Sequence, residues 1–229
     1  MSEQSAGADQ SARLGAFDET TVARSYLDAL RAADVAGAYK VSAGVLDRGM
    51  PLAALYQRVI TPAMHEVGRL WEEGALTVAD ERLATAVTNR VLSAVRPPQL
   101  FEQPIRSDSG KPTALLAVVE GEQHALGLRM VADLLEDSGY GIAYLGADVP
   151  TEALLQAVRA LSPDLLALSA TMPASTRRLE KAIDAVRQER PQLRLIIGGQ
   201  GSRSPRLDGE TLVEEVELLA ELVPLVQTG

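Results

Sequence analysis

Cysteine is absent from the 229 residues of the sequence, and that absence removes several kinds of chemistry. Without thiols we expect no zinc site built on cysteine, no thiol nucleophile and no pigment attached through a thioether bond. Any pigment bound by this chain is therefore expected to be held non-covalently.

Long apolar runs and basic surface stripes are also missing. No stretch reaches the roughly 18 apolar residues that a membrane-spanning helix needs, and the beginning, MSEQSAGADQSA, is small and polar, unlike a secretory leader. The formal net charge is −9, and basic residues are not interleaved with aromatic ones, which disfavours direct binding to nucleic acid. We therefore expect a cytoplasmic protein that contacts neither membrane nor nucleic acid directly.

Aromatic residues make up only 3% of the sequence, although 46% of it is hydrophobic. The core must then consist mainly of leucine, valine, alanine and isoleucine, which suits helices and parallel strands better than a β-sandwich. The composition favours an α or α/β protein with one large domain or two smaller ones.

Helical periodicity dominates the first half of the chain. Residues 1–16 have the composition of a disordered tail, after which Asp18 is a good N-cap and Glu19 lies in the first turn. Short Asp, Gly and Pro breaks divide residues 17–96 into helical stretches, which predicts an antiparallel four-helix bundle. The predicted helices cover residues 20–34, 35–49, 51–74 and 77–95.

A proline-rich stretch, residues 97–112, predicts a linker, and beyond it the pattern changes to alternating strands and helices. Runs that are apolar on both faces are typical of parallel strands covered by helices. Residues 113–229 are therefore predicted to form a flavodoxin-like (Rossmann-like) doubly wound parallel sheet, which makes the whole chain an α/β protein. The predicted strands cover residues 113–119, 141–147, 164–170 and 193–199, with a last pair near 211–215 and 218–226.

The loops after the first and third strands are expected to form the ligand site. In a sheet ordered 2-1-3-4-5 these loops run to opposite sides and leave a crevice at the carboxyl ends of the strands. Topology therefore brings together His124, Ser169 and Thr171. Gly198 and Gly199 are expected alongside, at positions where a side chain would collide with a ligand.

Glu122 and His124 are two residues apart in the first of these loops. At that spacing the carboxylate can accept the hydrogen of the imidazole Nδ1 and leave Nε2 free, as in a metal ligand with its orienting partner. A lone histidine at the start of a helix is more often a capping or surface residue, and this spacing alone leaves both interpretations open.

Three short motifs in register resemble the signature of cobalamin-binding domains, in which D/E-x-H-x-x-G is followed by S-x-L/T and then by GG. The matching residues are Glu122, His124, Gly127, Ser169, Thr171, Gly198 and Gly199. The resemblance implies that the cofactor's own base leaves cobalt and that His124 replaces it as the lower axial ligand. Methionine-synthase-like modules usually have Asp at the first position, whereas light-sensing relatives often have Glu.

The same resemblance implies a role for each of the other residues. Glu122 would orient His124, and Gly127 would leave room on the first helix of the domain. Ser169 and Thr171 would hold the nucleotide tail of the cofactor, and the paired glycines would line its path.

The helical bundle is similar to the cap of the CarH-type cobalamin photoreceptors, which have a Trp-x6-Val-x2-Glu-His pattern. Trp71, Val78 and Glu81 match that pattern, and Arg82 stands where the histidine would be. The resemblance implies contact with the adenosyl group on cobalt, while Arg82 puts the family's usual photoproduct in doubt. Without the family resemblance, helical spacing alone would make Trp71 a core residue and would place Glu81 and Arg82 on a solvated helix face.

The resemblance implies a light sensor, not an enzyme, that carries adenosylcobalamin or another cobalamin. The helix-turn-helix region of the CarH type is not present, so signalling through a protein partner or a homo-oligomer is expected. The photocobilins, which resemble this layout, add a second non-covalent chromophore, biliverdin, and Arg82 could pair with its propionate. The alternatives are a corrinoid methyl carrier of a methyltransferase system and a flavodoxin-like module with a different ligand.

Overall fold

The computed structural model describes residues 18–96, 110–202, 204 and 211–213. The chain divides into two compact units, Met1–Pro97 and Pro98–Gly229. The predicted tail, most of the predicted linker and the last predicted strand lie outside the described residues. Across the part that is described, no helix has the length and apolar character needed to cross a membrane.

The first unit is helical, as its periodicity predicts. The helices are α1 (Glu19–Arg31), α2 (Val35–Leu46), α3 (Leu52–Leu55), α4 (Thr61–Glu72) and α5 (Val78–Val95), with a π-helical turn (Tyr56–Ile60) joining α3 to α4. The segment predicted as one helix over residues 51–74 thus contains a wider turn. Pro62 explains it, because a proline donates no hydrogen bond and its ring crowds the carbonyl four residues earlier.

Side-chain caps fix where three of these helices begin. Asp18 caps α1, as predicted, by accepting from the N–H of Thr21 at 3.2 Å, and Asp34 caps α2 in the same way. Thr77 and Asp80 form a reciprocal capping box at the start of α5. The interior of the bundle is filled by buried side chains that include Tyr26, Leu30, Leu55, Tyr56, Ile60 and Leu92.

The second unit is a parallel sheet with the strand order β2-β1-β3-β4-β5, which confirms the predicted doubly wound fold. Its strands are β1 (Thr113–Val119), β2 (Gly141–Val149), β3 (Leu165–Ser169), β4 (Arg194–Gly198) and β5 (Thr211–Val213). Its helices are α6 (Leu126–Asp137), α7 (Thr151–Leu161) and α8 (Thr176–Glu189). Strands β1 and β3 are almost fully buried at the centre of the core.

Strand β2 differs from the prediction of a short buried strand. It extends two residues further, to Val149, and Tyr144 and Leu145 are 37% and 40% exposed. The reason is its place at the edge of the described sheet, where only one side pairs with a neighbour. Its pairing with β1 shifts register twice, and the extended end brings Asp148 beside the loop that follows β1.

Candidate functional site

The carboxyl ends of β1 and β3 form the site, as the topology predicts. The loop after β1 holds Glu122 and His124, and the loop after β3 holds Thr171 and Met172. Glu122 joins the two loops, because its carboxylate reaches the imidazole on one side and main-chain N–H groups of the opposite loop on the other.

The orienting pair expected from the sequence is present. Oε1 of Glu122 lies 2.5 Å from Nδ1 of His124 and also accepts from the His124 main-chain N–H at 3.1 Å. Because an ionised carboxylate only accepts, Nδ1 carries the hydrogen and the lone pair of a neutral ring lies on Nε2. The His124 side chain is 54% exposed, and its Nε2 has no hydrogen-bond partner among the described residues. The ring is therefore held at one nitrogen and available at the other.

The Glu122 carboxylate is buried, with only 1% of the residue exposed. Its Oε2 accepts from the N–H groups of Thr171 and Met172 at 3.1 and 2.8 Å, and from the Ser175 hydroxyl at 3.1 Å. Burial raises the pKa of Glu122, but the hydrogen bonds from Met172 and His124 outweigh it and lower the pKa to about 2. Glu122 therefore stays ionised and keeps the His124 ring oriented.

Ser169 offers a hydroxyl without a partner among the described residues, and Gly127 leaves open space. Ser169 is 7% exposed at the end of β3, and within the described residues its hydroxyl forms no hydrogen bond. Gly127 lies in the first turn of α6, where an added Cβ would meet no atom within 4 Å. Thr171 contributes its main-chain N–H to Glu122, so its position is fixed whatever its hydroxyl contacts.

Gly199 has a reason for being glycine in addition to the one expected. It has φ +90°, and an added Cβ would collide with the carbonyl oxygen of Ala170. The loop after β4 thus packs against the protein's own backbone at the end of β3, and this packing by itself excludes a side chain. Gly198, one residue earlier, ends β4 in register with Ser169.

The bundle residues of the photoreceptor pattern lie at the surface of their own unit. Trp71 and Val78 are 42% and 52% exposed, so the interpretation of Trp71 as a core residue is wrong. Glu81 is partly buried and accepts from the Thr85 hydroxyl at 3.0 Å. Arg82 is exposed and forms no ion pair or hydrogen bond with any residue that the structure describes.

Sequence reasoning missed Met172 and Ser175, both of which bind Glu122. A main-chain N–H carries no residue-specific signal, and a serine near a helix start is common as a cap.

The metal ligands that the site offers determine which cofactor fits. Among the residues described, no three His, Asp or Glu side chains could hold a metal ion together. One free imidazole fits a metal whose other ligands come with the cofactor, as in a corrin ring.

Comparisons with known proteins agree with this site. The family described as "B12 binding domain" matches residues 112–215, and a second family of the same description matches residues 22–96. The HTH-type transcriptional repressor CarH of Myxococcus xanthus is 34% identical over 212 residues, which cover 92% of this chain and 67% of that protein. Trimethylamine corrinoid protein 1 of Methanosarcina mazei is 25% identical over 174 residues, 75% of this chain and 80% of that protein.

A solved structure supports the fold. The monomethylamine corrinoid protein of Methanosarcina barkeri has a TM-score of 0.73 at 22% identity, over 91% of this chain and 99% of that one. At this identity the likeness shows the architecture only. Two family matches and the identity to CarH extend the agreement from the architecture to the sequence. The chain therefore belongs to the family of B12-binding proteins.

Proposed function

We propose that this protein is a cobalamin-dependent light sensor, not an enzyme, and that it signals through a protein partner or a change in its own assembly. The main observation for cobalamin binding is the His124 ring: a buried carboxylate holds its Nδ1, and its Nε2 has no hydrogen-bond partner among the described residues. The resemblance of Trp71, Val78 and Glu81 to the CarH-type photoreceptors supports light sensing, as does the 34% identity to the repressor CarH.

Each residue has a distinct part in this proposal. His124 would bind cobalt from below, and Glu122 would hold the ring by its Nδ1 hydrogen. When bound, cobalamin supplies a cobalt centre whose bond to an upper alkyl ligand is broken by visible light. The exposed apolar surfaces of Trp71 and Val78 would serve that upper ligand, together with Glu81, whose carboxylate is held by Thr85.

The test is reconstitution with adenosylcobalamin in darkness, followed by green light. A light sensor is expected to change its oligomeric state or its affinity for a partner together with the absorption spectrum, as measured by light scattering beside the spectrometer. Free adenosylcobalamin in the same buffer controls for photolysis that the protein does not use. An assembly that is identical in darkness and light, with no captured partner that responds to light, would contradict the sensor.

A corrinoid methyl carrier is the second candidate, and the identity to trimethylamine corrinoid protein 1 favours it. A carrier must expose cobalt to its methyltransferase partners, so it is expected to bind methylcobalamin and to assemble identically in darkness and light. Methyl transfer from the loaded protein to a thiol acceptor, measured with added methyltransferase, would support the carrier.

We also propose biliverdin as a second chromophore, held without a covalent bond as the absence of cysteine requires. The guanidinium of Arg82, which forms no ion pair with the residues that the structure describes, suits a propionate because it can donate two parallel hydrogen bonds to a carboxylate. Biliverdin added to the cobalamin-loaded protein is expected to give a shifted band that Arg82→Ala weakens. No shift relative to free biliverdin would contradict this part of the proposal.

Glu122→Gln is expected to lower cobalamin affinity by about 10 to 100-fold, the range typical for loss of a ligand's orienting partner. An amide replaces one acceptor oxygen by a donor, so N–H groups on one side of residue 122 would face another N–H. Spectrophotometric titration measures the affinity. Glu120→Gln is the matched control, since Glu120 is exposed in the same loop and forms no hydrogen bond with the described residues. A loss equal to that of His124→Ala would contradict a purely orienting role.

Arg82→His is expected to slow dark recovery after illumination by about 10-fold or more, because imidazole offers a lone pair to cobalt and a guanidinium does not. One added ligand bond of about 1.4 kcal/mol already gives that factor. Recovery of the dark spectrum after green light is the measurement. Arg90→His on the same helix is the control. Unchanged recovery in Arg82→His would show that residue 82 does not serve the upper ligand.

A further inference from the structure

The His124 loop, residues 120–125, is fastened to the end of β2 as well as to the loop after β3. Oδ1 of Asp148 accepts from the Gly121 N–H at 2.6 Å, and its Oδ2 accepts from Nε2 of Gln123 at 3.3 Å. The main-chain N–H of Asp148 donates to the Glu122 carbonyl at 3.0 Å. Three consecutive residues immediately before His124 are therefore bonded to Asp148.

Asp148 has a left-handed backbone, with φ +56°. In the described part of the chain, the other non-glycine residues with positive φ are Ala33 and Ser162, and both lie at the C-terminal ends of helices, where this conformation is common. Asp148 lies in a strand, so a helix end does not explain its conformation. A strained residue persists where the surrounding contacts hold it, and here those contacts lead to the His124 loop.

Gly121 also lies beside the side chain of Arg178. It has φ +75°, and an added Cβ would lie 2.7 Å from an Nη atom of Arg178. The guanidinium therefore packs against the glycine that Asp148 binds. Arg178 is exposed and its guanidinium can move, so the hydrogen bonds with Asp148 are what hold this loop in place.

We propose that Asp148 is a positioning residue for the cobalt ligand: it fixes the main chain of residues 121–123 and thereby sets where Glu122 and His124 stand. Glu122 orients the imidazole ring, whereas Asp148 places the backbone that carries both residues. This inference rests on the proposed role of His124 as the lower ligand.

Two substitutions separate the backbone conformation from the hydrogen bonds. Asp148→Gly accepts φ +56° without strain but removes both acceptor oxygens, whereas Asp148→Asn tolerates the same φ and keeps an oxygen for Gly121. We expect Asp148→Gly to bind cobalamin about 10-fold more weakly, with a larger share of the bound cofactor lacking an axial nitrogen. Asp148→Asn is expected to stay within about 2-fold of the wild type, because Gln123 can turn its amide to present an acceptor.

A second measurement uses the cofactor-free protein. The Gly121 amide should exchange with solvent deuterium about 10-fold or more slowly than an unprotected amide in the wild type, and Asp148→Gly should remove that protection. Gln123→Ala removes only the 3.3 Å bond and should leave the Gly121 amide protected. These rates are followed residue by residue by NMR.

The outcomes distinguish this inference from the proposed function. If the wild-type Gly121 amide is unprotected, or if Asp148→Gly matches the wild type in affinity and axial nitrogen content, the positioning role is wrong while His124 can still bind cobalt. If the wild-type protein holds cobalamin without an axial histidine, the proposed role of His124 fails, and the exchange rates in cofactor-free protein still decide whether Asp148 holds the loop.

Discussion

His124→Ala is expected to abolish coordination of cobalt by a protein nitrogen and to lower cobalamin affinity by about 100-fold or more. Loss of an orienting partner typically lowers affinity by roughly 10 to 100-fold, and loss of the ligand itself should lower it at least as much. The free Nε2 of His124 is the only imidazole nitrogen that the described part of this unit offers, since the other histidine of the sequence, His65, lies in α4. The Glu122 carboxylate would then face an empty position.

The measurement is the dark absorption spectrum during cobalamin titration, supported by electron paramagnetic resonance of the cobalt(II) form. Protein labelled with ¹⁵N-histidine should change the nitrogen splitting in the wild type and not in His124→Ala. His65→Ala is the matched control and should retain both the affinity and the splitting, since His65 is exposed in the bundle. An unaltered spectrum and affinity in His124→Ala would show that another group binds cobalt.

Gly199→Ala is expected to destabilise the second unit by about 2 to 5 kcal/mol. A non-glycine residue at φ +90° is strained by about 1 to 3 kcal/mol, and its Cβ would also collide with the carbonyl of Ala170, which is backbone and cannot rotate away. Urea unfolding followed by far-ultraviolet circular dichroism measures the change. Fluorescence would not, because the one tryptophan, Trp71, lies in the other unit.

Gly127→Ala is the contrasting variant from the same motif set. It lies in a helix with open space around its Cβ position, so the unliganded protein should be unchanged or stabilised by up to about 1 kcal/mol. Its cobalamin affinity is expected to fall, because the methyl group would occupy open space that the resemblance assigns to the cofactor. If Gly199→Ala unfolds at the same urea concentration as the wild type, the loop after β4 does not need glycine there.

Much of the fold could be predicted from the sequence because periodicity and local caps determine it. The predicted strand over 113–119 coincides with β1, and Asp18 caps α1 as its position before a helical pattern indicates. The predicted order 2-1-3-4-5 places β2 at an edge, but its apolar run was still interpreted as a buried strand. An apolar run does not reveal how completely helices cover the two faces of a strand.

The site was predictable where it depends on residues close in sequence. The Glu122–His124 pair follows from a two-residue spacing, whereas the bonds from Met172 and Ser175 come from a loop some fifty residues away. For Gly199, the sequence pointed to a ligand, and the structure adds a contact with the protein's own backbone. A sequence shows that a side chain is missing but not whether a ligand or the protein's own backbone fills the space.

The hydrogen bonds of Glu122 have a consequence for how fast a cofactor can bind. Each carboxylate oxygen already has three donors from the protein, so the loop is ordered when the domain folds. Ordering it at the moment of binding would cost roughly 1 to 2 kcal/mol for each residue fixed, and a rearrangement would slow association. With the imidazole of His124 already in place, we expect that ordering of this loop does not limit the association rate.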